Sequence, residues 1–150
     1  MQDKKIKVRV RLIIVKNNKV LLHYSPKDKY YFYIGGKMEF GETVIQAAVR
    51  EAKEETGGNF EFKKILYIRD FIHPEENEHS LELFILGNLD RFEEVLEWTD
   101  EDKESHHKIS WVELSKLKDI NIKPQALTDI LLKDFAGNFT DGTKYIGEIV

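Results

Sequence analysis

The chain has 150 residues, a net charge of −4 and no cysteine. This length, with 41% hydrophobic residues, predicts a single domain over residues 1–150 with an ordinary core. The charge balance argues against the broad basic surface that binds duplex nucleic acid, and the missing cysteines exclude disulfides and thiolate zinc sites. No apolar run approaches the ~20 residues that span a bilayer, so we expect a cytoplasmic protein without a membrane partner.

Three strands are predicted before residue 35. Residues 6–15 alternate apolar and basic side chains and then become continuously apolar, which is typical of a strand that enters the interior. A turn at residues 16–19 precedes residues 20–22, which we expect to pair with the first strand in antiparallel fashion. Residues 30–34 predict a short aromatic strand, whose rings we interpret as core or edge filler.

Capping signals predict a short helix after the aromatic strand. Thr43, followed three residues later by Gln46, is the capping-box pattern, and the pair Gly57-Gly58 supplies the usual stop. The helical wheel indicates a packing side and an acidic side. The packing side is expected to contain Ile45, Val49 and Ala52.

The acidic side of this helix carries three carboxylates in one stripe. Glu51 lies three residues before Glu54 and four before Glu55, and like-charge pairs at these spacings are each unfavourable by roughly 0.2 to 0.5 kcal/mol. Arg50 and Lys53 can offset only part of this repulsion. Three carboxylates on a rigid element also supply the oxygen ligands that a hard divalent cation needs, although a solvated charged face is the alternative. The five histidines show no metal-ligand spacing, so we interpret them as structural or solvated.

The C-terminal half predicts three more strands and a second helix. Residues 60–71 and 80–89 are predicted to form a hairpin, and residues 107–112 a last strand of the sheet. Lys123-Pro124 is expected to open a helix that ends near Phe135 and covers one face of the sheet. Residues 137–150 are too apolar to be left in water, so this tail either packs on its own domain or enters a homodimer interface.

Seven residues around the first helix stand at fixed spacing from one another. They are Gly36, Glu42, Arg50, Glu51, Glu54, Glu55 and Gly57. At each of these positions the chain resembles the signature box of the Nudix hydrolases. Two softer positions depart from the family pattern, because Gly58 replaces a bulky aliphatic residue and Ile34 replaces a frequent proline.

A phosphate-binding P-loop is the competing interpretation of the same glycines. Gly36, followed after four residues by Gly41-Glu42-Thr43, has the outline of that motif. However, Glu42 stands where a P-loop has the lysine that reaches the phosphates. The charge is reversed, so any polyphosphate at this site is expected to be held through metal ions.

The Nudix resemblance implies an α/β fold in which a mixed sheet lies between helices as an α/β/α sandwich. It also implies hydrolysis of a pyrophosphate bond in a nucleoside diphosphate derivative, with Mg²⁺ or alternatively Mn²⁺ as cofactor. Pro74 resembles the downstream proline of ADP-ribose-hydrolysing members, which favours ADP-ribose or a nucleotide sugar as substrate. The alternatives are a MutT-like hydrolase of ordinary or oxidised nucleoside triphosphates and a sensor domain that has lost turnover.

The resemblance also implies roles for individual residues. Arg50 would hold a carboxylate in place, and one glutamate of the helix would orient or deprotonate the attacking water. The implied metal ligands are Glu51, Glu54, Glu55, the carbonyl of Gly35 and one further acid, Glu104, chosen over Glu101 and Asp102. Glu42 would lie beside this cluster and bind the metal indirectly, for example through water. The implied substrate contacts are Gly36, Lys37 and Pro74.

Overall fold

The protein is represented by a computed structural model that describes residues 4–92 and 108–150. Within these ranges the chain forms strands and two helices. The strands are Ile6–Ile13 (β1), Val15–Lys16 (β2), Lys19–Ser25 (β3), Tyr30–Lys37 (β4), Phe60–His73 (β5), Glu78–Leu89 (β6), Lys108–Glu113 (β7), Ile122–Lys123 (β8) and Lys144–Ile149 (β9). The helices are Val44–Thr56 (α1) and Thr128–Ala136 (α2). Neither of these two helices is long and apolar enough to cross a bilayer.

The described strands form one mixed sheet in the order β2-β3-β4-β1-β6-β5-β9, while β7 pairs with β3 and β8 with β4. β1 is antiparallel to β4 and parallel to β6. The expected pairing of residues 20–22 with the first strand is therefore wrong for most of its length. Only the end of the predicted strand 6–15 reaches β3, where Val15 of β2 pairs with Val20, because β1 itself lies inside the sheet between β4 and β6.

The two faces of the sheet carry separate hydrophobic clusters, since successive side chains of a strand point to opposite sides. One face, which we call the α1 face, packs against α1 and includes Leu12, Leu21, Ile34 and Ile85. The opposite face, the α2 face, packs against α2 and includes Ile13, Leu22, Tyr33 and Phe84. The predicted α/β fold with a mixed sheet between helices is confirmed.

The predicted limits of α1 are correct. Thr43 is the N-cap, where its Oγ1 accepts from the Gln46 N–H at 3.2 Å and its own N–H donates to the Gln46 side chain at 2.8 Å. The helix ends at Gly57, whose φ of 75° lies in the left-handed region that glycine adopts without strain.

The predicted packing side of α1 is wrong. Ile45 and Val49 are 46% and 40% exposed, whereas Ala52 is buried as expected. Small side chains let a helix lie close to a sheet, so the side with the alanines turns inward. The buried residues of α1 are Ala47, Ala48, Glu51 and Ala52. One carboxylate of the acidic stripe therefore lies beneath the helix.

The second helix begins later than predicted. Ile122 and Lys123 pair in parallel with Tyr31 and Phe32 of β4. The backbone is extended at Pro124, and a 3-10 turn at Gln125–Leu127 leads into α2 at Thr128. Pairing with the sheet thus overrides the local helix signal of the Lys123-Pro124 dipeptide.

The predicted strands of the C-terminal half are otherwise present. β5 and β6 form the expected antiparallel hairpin, extended to His73 and Glu78, with a 3-10 turn at Pro74–Glu76 between them. The strand predicted at residues 107–112 is observed at Lys108–Glu113. Residue 107 lies outside the described part of the chain.

The C-terminal tail packs on its own domain, which is one of the two expected alternatives. β9 pairs in parallel with β5, and Ile146 packs on the cluster of the α2 face. Tyr145, Ile149 and Val150 are exposed. Whether these three residues also pair with a second copy of the chain stays a prediction.

A polar contact fixes α2 and β9 to the sheet. Asp134 of α2 accepts hydrogen bonds from the Tyr67 hydroxyl, at 2.7 Å, and from the Lys144 ammonium group. Burial alone would raise the pKa of Asp134, but these two hydrogen bonds outweigh burial and hold the pKa below its usual value. The charged form of Asp134 therefore stabilises the folded chain.

We expect Asp134→Asn to lower the free energy of unfolding by about 1 to 3 kcal/mol, because it weakens two buried hydrogen bonds. Urea denaturation measures this change. Asp141→Asn is the matched control, since Asp141 contacts the same Lys144 at 3.3 Å from an exposed position and should contribute little.

The difference in stability between wild type and Asp134→Asn should depend on pH. A lowered pKa means that the stabilisation by Asp134 is complete above the unfolded pKa of about 4 and is lost as the pH falls through the lower folded value. The stability difference between wild type and Asp134→Asn should shrink in that acidic range. A difference that stayed constant there would show that the charge of Asp134 is not what stabilises the contact.

Candidate functional site

The candidate site lies where the end of β4 meets α1, and a glycine pair makes this approach possible. Gly35 has a φ of 142°, and a Cβ at this position would lie 2.0 Å from the Val10 carbonyl oxygen. A Cβ on Gly36 would lie 2.6 Å from Oε1 of Glu51. Any side chain at position 36 would therefore displace the buried carboxylate of Glu51.

Arg50 is the centre of the hydrogen-bond network on α1. Its Nε and Nη2 bind the two carboxylate oxygens of Glu42 at 3.0 and 2.7 Å. Its Nη1 lies 3.0 Å from Glu51 and 3.3 Å from Glu54, and its Nη2 also donates to the Lys37 carbonyl at 3.1 Å. One guanidinium group thus connects three carboxylates and the end of β4.

Glu42 is held from two directions. In addition to Arg50, the backbone N–H of Glu39 donates to Oε1 of Glu42 at 2.7 Å. Hydrogen bonding by Arg50, followed by the bond from Glu39, lowers the pKa of Glu42 to about 2. Both carboxylate oxygens are engaged by protein groups, so Glu42 positions Arg50 in this structure.

Glu55 lies closer to the sheet than Glu54. Its Oε2 accepts from the Gly35 N–H at 2.9 Å, and its Oε1 lies 3.6 Å from Nε2 of His23. Burial, and then the charge of Glu51, raise the pKa of Glu55 to about 7, against the opposing effect of the Gly35 N–H and Arg11. Negative charge at this position is only partly compensated by the protein.

His23 belongs to the site although the sequence did not indicate it. It lies on β3, is 8% exposed and faces Glu55 from the sheet. Its ring centroid is 4.9 Å from that of Phe32 on the neighbouring strand. No spacing pattern links a histidine on β3 to a glutamate on α1, and only the register of the sheet brings them together.

The predicted metal ligands lie side by side but do not surround a common point. Within residues 4–92 and 108–150, no three acidic or histidine side chains are close enough to enclose an ion as they stand. Glu51 is buried against Gly36, Glu55 is mostly buried, and the Glu54 side chain is 58% exposed. These oxygen donors and their incompletely compensated charge fit a hard divalent cation. Glu104, Glu101 and Asp102 lie outside the described residues.

A cavity of about 690 Å³ opens on the α2 face of the sheet. Aromatic side chains supply much of its lining, together with three arginines, Arg9, Arg11 and Arg69. Pro74 does not line this cavity, whereas its neighbours His73 and Glu76 do. The volume is in the range of sites that bind small organic ligands.

The three arginines of the cavity are paired with glutamates. The pairs are Arg9 with Glu78 at 3.0 Å, Arg11 with Glu82 at 3.1 Å, and Arg69 with Glu82 at 2.7 Å and with Glu148 at 2.6 Å. These carboxylates neutralise the arginines. The floor of the cavity is therefore polar without carrying a strong positive charge.

The cavity on the α2 face is connected to the acidic side of α1 through residues of the strands between them. Phe32 lines the cavity and contacts His23, which in turn faces Glu55. Arg11 also lines the cavity, pairs with Gly35 across the sheet and affects the pKa of Glu55. These contacts connect the cavity with the carboxylates of α1, although no residue of α1 lines it.

Comparison with known proteins gives both sequence and structural matches. An ADP-ribose pyrophosphatase of Methanocaldococcus jannaschii is 36% identical over 101 residues, which cover 65% of this chain and 59% of that protein. This chain therefore spans less than two thirds of the length of that relative.

Two solved structures share the fold at lower sequence identity. A UDP-X diphosphatase matches with a TM-score of 0.70 and 16% identity, covering 97% of this chain and 69% of that chain. A MutT protein from Bacillus halodurans matches with a TM-score of 0.68 and 20% identity, covering 96% of this chain and 90% of that chain.

The model of the NUDIX domain matches residues 5–130. This range covers most of the chain and contains α1 with all the residues that Arg50 connects. The protein is therefore a member of the Nudix family.

Proposed function

We propose that the protein is a divalent-metal-dependent pyrophosphohydrolase acting on a nucleoside diphosphate linked to another moiety. The observation that carries this proposal is the set of α1 carboxylates fixed at the end of β4, which Phe32 and His23 connect to a cavity of suitable size. The alternative of a sensor domain without turnover is less well supported, because all the carboxylates of the box are present and ordered by partners.

The proposed cation ligands are Glu51, Glu54 and Glu55, with the Gly35 carbonyl as a further oxygen donor. Mg²⁺ is the first candidate and Mn²⁺ the alternative, since both take carboxylate and carbonyl oxygens. When bound, such a cation lowers the pKa of water and neutralises charge on phosphate oxygens. Glu104 stays a candidate for an additional ligand.

The protein groups hold this site in place before the substrate binds. Arg50 fixes Glu51 and Glu54, and the Gly35 N–H fixes Glu55. Gly36 leaves room for the Glu51 carboxylate. The like charges on α1 therefore stay close together without the helix moving away from the sheet.

The charge of the cavity indicates how the substrate lies. Because glutamates already neutralise the arginines of the cavity floor, that floor suits the uncharged nucleoside better than the diphosphate. Aromatic side chains such as Tyr30, Phe32 and Phe71 offer apolar surface for a base. The diphosphate would then extend toward α1.

ADP-ribose is the first substrate candidate, with a related nucleotide sugar as the wider class. The relative from Methanocaldococcus jannaschii bears the name ADP-ribose pyrophosphatase, which supports this choice. Pro74 supports it only through sequence resemblance, because it lies in the β5–β6 turn and outside the cavity lining. Lys37 and Gly36 stay candidates for contacts to the phosphates.

We expect kcat/KM to be higher for ADP-ribose, cleaved to AMP and ribose 5-phosphate, than for dGTP or 8-oxo-dGTP. Each substrate should be assayed with Mg²⁺ and with Mn²⁺, and metal removal by EDTA should abolish turnover. A preference for the triphosphates would overturn the substrate assignment. Nucleotide binding without product release would instead identify a sensor.

We expect Glu54→Gln and Glu55→Gln each to reduce kcat by at least ~10²-fold, because each removes a charged oxygen donor. Without metal, both variants should be as stable as wild type or more stable, since each relieves repulsion on α1. Turnover and thermal midpoints with and without Mg²⁺ test this. Glu61→Gln is the control, because it removes the same charge from an exposed position on β5.

We expect Arg50→Ala to reduce both turnover and stability, the latter by about 1 to 3 kcal/mol, because three carboxylates lose a shared donor. Arg50→Lys should recover only part of each loss, since an ammonium group cannot bind Glu42 in bidentate fashion. Lys53→Ala on the same helix is the control for charge alone. Wild-type kinetics in Arg50→Ala would show that the network is a surface charge cluster.

A further inference from the structure

A buried hydroxyl on the α2 face lacks a hydrogen-bond partner. Tyr33 of β4 is 1% exposed, and its hydroxyl oxygen has no partner among the described residues. Its ring packs edge-to-face on Phe84, with centroids 5.6 Å apart. Leaving a buried polar group unpaired is unfavourable by about 1 to 3 kcal/mol, so such a group in a folded protein requires an explanation.

A second buried tyrosine in the same cluster has a hydrogen-bond acceptor for its hydroxyl. Tyr67 is also fully buried, and its hydroxyl donates to Asp134 at 2.7 Å. Nothing equivalent is provided for Tyr33. Burial raises the pKa of Tyr33 well above its usual value, so its hydroxyl keeps its proton and can donate it in a hydrogen bond.

Tyr33 lines the cavity on the α2 face, where the three arginines are already engaged. Arg9, Arg11 and Arg69 each bind a glutamate. The Nδ1 atom of His73, at the same cavity, is also buried without a partner in the described part of the chain. The cavity therefore holds polar atoms that the protein leaves unsatisfied, in contrast to its paired charges.

We propose that the Tyr33 hydroxyl donates a hydrogen bond to an acceptor atom of the nucleobase, which makes Tyr33 a specificity-determining residue. This assignment rests on the proposed function for the nature of the ligand. A phosphate is a poor partner, because the three cavity arginines are each neutralised by a glutamate, and the ammonium group of Lys123, which also lines the cavity, lies over the Tyr30 ring. A planar base is uncharged, carries ring-nitrogen or carbonyl acceptors and matches the aromatic lining.

The first test measures AMP affinity by calorimetric titration in EDTA for wild type, Tyr33→Phe and Tyr67→Phe. We expect Tyr33→Phe to bind AMP about 3- to 10-fold more weakly, as one lost neutral hydrogen bond predicts. Its thermal midpoint without ligand should be equal to or above that of wild type. Tyr67→Phe should instead be destabilised while its AMP affinity stays unchanged.

The second test identifies the acceptor with 1-deaza-, 3-deaza- and 7-deaza-AMP, each of which lacks one ring nitrogen of adenine. One analogue should bind wild type more weakly than AMP does. The same analogue should bind Tyr33→Phe as tightly as AMP does, as expected if the missing nitrogen and the hydroxyl are the two partners of one hydrogen bond. In turnover of ADP-ribose, Tyr33→Phe should change KM more than kcat.

The outcomes separate this inference from the proposed function. Equal AMP affinity of wild type and Tyr33→Phe, or the absence of any coupled analogue, overturns the role of Tyr33 even if ADP-ribose is hydrolysed. Tyr33-dependent AMP binding without hydrolysis supports the role of Tyr33 and overturns the proposed enzyme. No measurable AMP binding by wild type overturns the assignment of Tyr33 to a base.

Discussion

The acidic site depends on one guanidinium group that keeps like charges together. Glu51, Glu54 and Glu55 repel one another along a short helix, and Glu51 is also buried. Arg50 bridges Glu42, Glu51 and Glu54, and its bond to the Lys37 carbonyl ties α1 to the end of β4. Without this bridge the repulsion would favour separation of helix and sheet at the place where Gly36 leaves room for the carboxylate of Glu51.

The acidic side of α1 and the cavity on the α2 face differ in their balance of charge. The side of α1 near Glu55 has more negative charge than its cationic partners compensate, whereas the cavity on the α2 face has arginines that glutamates neutralise. A ligand with an uncharged aromatic end and an anionic end, bridged to the protein by cations, satisfies both regions. Neither region alone would distinguish such a ligand from a simple phosphate or a simple base.

The sequence predicted those features that depend on residues close together in the chain. The capping box and the C-terminal glycine defined α1 because both act within one helical turn, and the spacing of the acidic box survives in any fold that contains this helix. Predictions from local sequence were wrong for two features that depend on tertiary contacts, the packing side of α1 and the start of α2. The packing side of α1 depends on how closely the helix approaches the sheet, which favours alanines over Ile45 and Val49, and strand pairing delays the start of α2. The place of His23 beside Glu55 and the proposed role of Tyr33 could not be recognised from the sequence, because the surroundings of both residues come from strands whose register the sequence does not specify.

β1 pairs with β4, which follows it after two short strands, and with β6, which is much farther along the chain. Closing a longer loop loses more conformational entropy. The contact between β1 and β4 is therefore expected to form before the contact between β1 and β6. That early contact places Arg11 opposite Gly35 and so fixes the backbone against which Glu55 will bind. β9 is the last strand along the chain, and it pairs with β5 at the edge of the sheet. During synthesis, the backbone part of the acidic site can therefore form before the edge strand that closes the domain has been made.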